Sequence, residues 1–228
     1  MKRSVIIVMA FVLSAMLYGC GYDGGKWESP MSKSYLQNLT YPREIKLWVD
    51  QYNSGVIRVV FNGYNLTGER KEKALETIGD VSYNQKVHID KGVFRTALCY
   101  DLVSINVVSS AQFGDIAPGR SLAPKIGYRA LSIKPYIDSG YTTFGDWDAI
   151  EGQDPSFWSG MKNNYAEWMP IVKPLTEVTL DDMKLLATTW GMALSFTEVP
   201  EVKEHTFTVT IADEWSHVMT ASVDYVFE

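Results

Sequence analysis

Thr206-Phe207-Thr208-Val209-Thr210-Ile211-Ala212 is the stretch that decides the fold. Its apolar side chains fall on every second residue and its threonines fill the gaps. That two-residue period belongs to a strand with one face in a core and the other in water. Phe207, Val209 and Ile211 are therefore expected inward. The next four residues, 213–216, read as a turn, and 217–227 is expected to pair back as a hairpin. In that hairpin His205 falls near Asp224 and His217 near Ala212, so the two histidines are far apart along the ladder.

Working outward, other segments repeat the signal. Residues 192–196 read as a strand, followed by a charged loop with Pro200. The strongest strand is 101–109, where Val103, Ile105 and Val107 alternate with Ser104 and Asn106. Residues 44–50 and 56–61 form an expected hairpin about the Asn53-Ser54-Gly55 cluster, and the second run is rich in β-branched residues. Asn62-Gly63 marks the next expected turn. Residues 69–78 read as a short polar helix with Ala74, Leu75 and Ile78 inward, closed by Gly79. Further strands are expected at 87–89, 93–100 and 130–136, and 114–124 reads as a loop.

The middle of the chain is aromatic. Asp154 as N-cap and Pro155 at the first helical position open an expected helix, with Phe157, Met161, Tyr165 and Trp168 at helical spacing and Pro170 as the stop. A second helix is expected over 179–190. Thr179 and Asp182 approximate a capping box, Leu180, Met183, Ala187 and Trp190 make the stripe, and Gly191 ends it. The fold expected is mainly β: an antiparallel β-sandwich, Ig-like in character, with two short helices inserted between strand-rich halves, the insertion covering about 141–191.

The N-terminus carries an address. Lys2 and Arg3 precede an apolar stretch over 5–17 broken only by Ser14, which is shorter than the roughly 20 residues a membrane-spanning helix needs. It ends in Leu17-Tyr18-Gly19-Cys20, which resembles the bacterial lipobox, with Tyr18 bulkier than the usual occupant of its place. Residues 1–19 are thus expected to be a lipoprotein signal peptide. Cys20 is the expected lipidation site, residues 20–41 a tether, and 42–228 a single domain. The resemblance implies a diacylglyceryl thioether and an N-acyl chain on Cys20, and two or more chains hold a protein stably in a bilayer. Gly21 is not an acidic retention signal, which favours the outer membrane and leaves the side of the membrane open.

Three stretches together carry a wider resemblance: the lipobox, DLVSINVVSSAQFGDIAPGRSL at 101–122, and LSFTEVPEVKEHTFTVTIA at 194–212. They look like uncharacterised Bacteroidetes-type cell-envelope lipoproteins carrying a domain of unknown function. The resemblance implies an envelope address, and it brings no catalytic residues.

Composition narrows the partners. The net charge is −6 with 21 basic and 27 acidic residues, which argues against nucleic acid, whose phosphates require clustered Lys and Arg. No Gly-x-Ser-x-Gly, phosphate loop or His-Glu-x-x-His occurs, so no enzyme is expected and no cofactor is implied. With Cys20 acylated, Cys99 stands alone in an apolar run and reads as a small buried hydrophobe. The expected role is a non-catalytic binding or structural module, partnered by the bilayer through Cys20 and by a glycan or an envelope protein. A carbohydrate-binding lipoprotein and an adhesin or assembly subunit are the alternatives.

The candidate site is the loop 141–154. Tyr141, Phe144 and Trp147 offer flat faces on which a sugar ring could stack, while Asp146, Asp148 and Glu151 offer oxygens for hydroxyls or a Ca²⁺ ion. The opposing expectation is that Trp147 folds into the core and the carboxylates keep the loop soluble.

Overall fold

The computed structural model describes residues 31–86, 95–150, 158, 161–188 and 191–228. The expected signal peptide, Cys20 and the start of the tether lie outside these residues. So do the expected strand at 87–89 and the expected helix start at Asp154 and Pro155.

The protein is mainly β. Among the described residues eleven strands run in chain order: β1 (Met31–Ser32), β2 (Asn38–Val49), β3 (Val56–Asn65), β4 (Gln85–Lys86), β5 (Thr96–Leu98), β6 (Leu102–Ser109), β7 (Ile126–Ser132), β8 (Met169–Pro174), β9 (Met192–Phe196), β10 (Glu204–Asp213) and β11 (Val218–Val226). Six form a curled sheet in the order β5-β2-β3-β9-β7-β8, and three form a second sheet in the order β11-β10-β6. Every neighbour in these sheets is antiparallel except β2 and β5, which run parallel. β1 and β4 make a separate two-stranded pair.

The threonine-spaced stretch behaves as its period requires. Phe207, Val209 and Ile211 are fully buried, while Thr208 and Thr210 bond Ser222 and Thr220 across the open face. The hairpin register sets His205 opposite Tyr225 and Ala212 opposite Val218, one step from the expected pairing.

The six-stranded sheet is covered on both sides. Ile57, Leu98, Ala130, Met192 and Leu194 pack with Phe207, Val209 and Ile211 of the smaller sheet. Their chain neighbours Val56, Ala97, Leu131 and Ala193 point the other way, into a core of Tyr35, Tyr136, Tyr141, Trp147, Trp158 and Trp168. Strands buried on both faces read as continuous apolar runs, as Met192-Ala193-Leu194 does. A simple two-layer sandwich therefore does not account for the sheet, whose second face is covered by an aromatic layer of loops and short helices.

Several expectations change. The chain from Asn38 onward is already strand, and Tyr35 and Leu36 are buried, so residues 31–41 are part of the domain. Asp80 holds them there: its two oxygens accept the amides of Tyr35 and Leu36, each at 2.7 Å, and one also accepts the Tyr141 hydroxyl at 2.9 Å. Arg95 stacks over Tyr35 at 4.4 Å and over Tyr83 at 5.4 Å.

Asn62-Gly63 is not a turn. β3 runs through it to Asn65, and Gly63 faces Pro42 of β2. A Cβ at Gly63 would run into the Tyr41 carbonyl, so the glycine serves a close approach of backbones. The helix expected over 179–190 does not form over its described part. Asp181–Met183 is a single 3-10 turn, and Leu186 and Ala187 bridge to Ser132 and Ala97 as extended chain. Leu185, Leu186 and Ala187 are all buried while Leu180 is exposed, a pattern no single helix face can supply. Asp182 does make the capping contacts, accepting the Thr179 amide and hydroxyl, yet they close one turn only. Of the first expected helix, the described residues include the short piece Met161–Asn164, after which β8 joins the sheet edge. Ile126–Ser132 is the strand expected at 130–136, and Lys134–Asp138 is helix instead.

Candidate functional site

Over its described part, 141–150, the loop singled out by sequence does not bring Tyr141, Phe144 and Trp147 onto one exposed face. Tyr141 is 8% exposed and Trp147 6% exposed. Tyr141 packs edge-on against Tyr83 and Tyr136, and its hydroxyl is committed to Asp80. Trp147 stands edge-to-face with Trp158 at 5.7 Å. Phe144 alone of the three aromatic candidates is exposed, with its ring against Tyr136. Tyr141 and Trp147 of the expected stacking platform are therefore corrected to core residues, because large rings gain more by packing against Tyr83, Tyr136 and Trp158 than by facing water.

The carboxylates of that loop are occupied separately. Asp146 accepts the Ala149 amide at 3.1 Å, and Asp148 pairs with Lys162 at 2.7 Å, which holds its carboxyl below the usual carboxylate range. Glu151 lies outside the described residues. No group of three or more His, Cys, Asp or Glu that could hold a metal occurs among the described residues.

A cleft forms elsewhere, with a volume of about 640 Å³. One wall is the helix Gly68–Ile78. Arg70, Lys73, Ala74, Thr77 and Ile78 recur at three- and four-residue spacing and line the cleft together, while Leu75 turns to the core. Gly79 closes the helix in the left-handed conformation at φ 82° and donates its amide to the Glu76 carbonyl.

The other wall is aromatic. Tyr41 and Tyr64 face each other in the β2–β3 register and stack at 5.1 Å. Tyr100 meets Tyr41 edge-on at 5.4 Å, and Trp215 follows Tyr100 at 5.7 Å. Four rings thus touch in succession along one cleft. Trp215 is the most open, at 71% exposure. It sits on the β10–β11 turn, where one Asp213 oxygen accepts the amides of Trp215 and His217 and Ser216 takes a positive φ of 62°. This Asp213 contact fixes the turn that presents the indole.

The floor and rim are mixed. Leu66, Cys99 and Leu185 are apolar. Burial pushes the Cys99 thiol up to about 12, with Asp213 and Glu214 adding to the rise. Asp101 is half-buried, and burial raises its carboxyl against the Leu185 amide it accepts. Glu214 and Asp101 clasp each other through backbone: the Glu214 amide donates to the Asp101 carbonyl at 3.0 Å, and the Asp101 amide donates to the Glu214 carboxylate at 3.3 Å. Lys134, also on the rim, is spent on Asp138 at 2.6 Å.

None of the cleft rings was picked out from sequence, since they come from four separate segments. Tyr64 opposite Tyr41 had a signal: extending the first hairpin through Asn62-Gly63 pairs them. Compared with protein-family models, curated proteins and solved structures, the chain has no match among any of the three.

Proposed function

We propose that this chain is a non-catalytic binding module of the cell envelope, held to the outer membrane through acylated Cys20, and that it takes a carbohydrate in the cleft beside Trp215. The observation that carries the reading is the succession of Tyr64, Tyr41, Tyr100 and Trp215 along a single cleft. Ligand sites are concave, mostly apolar and aromatic, with a few placed polar groups, and clefts of roughly 300–1,000 Å³ are usual. Flat rings with polar tips offer sugar C–H faces a stacking surface and sugar hydroxyls a partner. In the cleft the Cys99 thiol, pushed up to about 12 by burial, stays protonated and acts as a small apolar group. We read the two facing sheets as a divergent, Ig-like sandwich carrying the cleft on its aromatic side. Their shared core supports that reading.

Two measurements test the proposal. Cys20→Ala expressed in a bacterial host should lose labelling by a palmitate analogue, and retained labelling rejects the anchor. The full chain in detergent, titrated with a panel of neutral and acidic oligosaccharides, should show a tryptophan fluorescence change that Trp215→Ala removes. A flat response across the panel rejects the carbohydrate site.

A further inference from the structure

Resting on that reading of the cleft, we propose that the bound sugar is a uronic-acid saccharide, its carboxylate held by Arg70 and Lys73. The helix wall and the rim of the cleft carry opposite charge. The helix wall presents Arg70 and Lys73, and the rim beside Tyr100 and Trp215 presents Asp101 and Glu214.

Two cations of the helix are unspent, Arg70 and Lys73. Lys134 is neutralised by Asp138, and the neighbouring Lys71 donates to the Gln37 carbonyl. Arg70 and Lys73 make no ion pair or side-chain hydrogen bond among the described residues, and both are exposed along the cleft. Two like charges three residues apart on a helix repel each other. A bound anion removes that repulsion. On a chain of net charge −6, such a pair is a local exception that draws an anion to this spot.

The guanidinium fork of Arg70 matches a planar carboxylate with two parallel hydrogen bonds, and Lys73 adds a point charge. At the rim, Asp101 and Glu214 accept hydroxyls and turn away a second negative charge. A pyranose with one carboxylate, hydroxyls on the opposite edge and an apolar face toward Tyr100 and Trp215 meets all three surfaces. A multiply charged sulfated or phosphorylated sugar meets the first and is repelled by the second.

The test uses the full chain in detergent, titrated by tryptophan fluorescence with oligogalacturonate, with its carboxyl-reduced counterpart, and with a sulfated oligosaccharide. Oligogalacturonate should bind at least about tenfold tighter than the reduced form. Arg70→Gln/Lys73→Gln should erase that preference while leaving the melting temperature unchanged, since both side chains are exposed. Trp215→Ala, whose binding is followed by calorimetry because its fluorescence response is gone, should weaken both sugars alike. Equal affinity for the acidic and reduced forms overturns the uronate assignment and leaves the carbohydrate cleft standing. Tighter binding of the sulfated sugar likewise overturns it. No binding of any of the three overturns both.

Discussion

Asp50 and Arg58 meet at 2.6 Å across the first hairpin, with both side chains largely withdrawn from water. The other Asp50 oxygen accepts the amides of Tyr52 and Asn53, so one carboxylate closes the turn and ties it to β3. Burial works to raise this carboxyl, but the bonds from Tyr52, Asn53 and Arg58 outweigh it and hold the group below its ordinary value of 3.8. Such a depressed group stabilises the fold above its unfolded pKa, and the contribution fades as pH falls through the folded value. Asp50→Asn should therefore lower unfolding free energy at pH 7 by about 3 kcal/mol, the scale for breaking one side of a withdrawn ion pair. Urea titrations should show that gap shrinking as the pH is taken below about 4. A gap of constant size down to acid pH would mean the charge is immaterial.

Val209 and Thr208 are neighbours on β10 with opposite environments. Val209→Asp places an unpaired charge among Val107, Ile211 and Phe207 and should cost several kcal/mol, roughly 4 or more, enough to unfold the domain. Thr208→Asp, on the open face, should stay within about 1 kcal/mol of wild type. Similar melting temperatures for the two variants would contradict the alternation.

Trp147 and Trp215 separate packing from binding. Trp147→Ala should cost about 3–5 kcal/mol, as buried aromatic truncations do. Trp215→Ala should leave the melting curve unmoved and abolish the fluorescence response to oligosaccharide. The reverse pattern would return the site to the 141–154 loop.

Asp80→Ala strands the amides of Tyr35 and Leu36 inside the protein. The expected loss is roughly 3 kcal/mol, with those two amides becoming the most rapidly exchanging in the core by hydrogen exchange. Unchanged exchange at both positions would show that the carboxylate does not hold the segment.

The legible parts of this fold were those set by local period. Alternation alone located Phe207, Val209 and Ile211, and Gly79 closed the helix where its sequence signal stood. What failed needed long-range information. The capping pair Thr179 and Asp182 is real, but β5 and β7 offer Ala187 and Leu186 extended partners, and tertiary burial overrides the helical signal. Trp147 looked like a ligand platform because its loop is acidic, and nothing local says that Trp158 waits behind it. The cleft was hidden for the same reason, since Tyr41, Arg70, Tyr100 and Trp215 share a surface only after the chain has folded.

The grip of Asp80 on Tyr35 and Leu36 also decides how the domain bears mechanical load. Tension entering the chain at Met31 meets the β1–β4 pair and the Lys33 carbonyl that accepts the Tyr83 amide, then the two hydrogen bonds on the Asp80 carboxylate, and then the Gln37 and Asn38 amides that share the Arg95 carbonyl. Beyond them the pull runs along β2, which is laddered to β5 on one side and β3 on the other. Force in that direction shears both ladders at once and must break many bonds together, so extraction from this end meets a high barrier to unfolding.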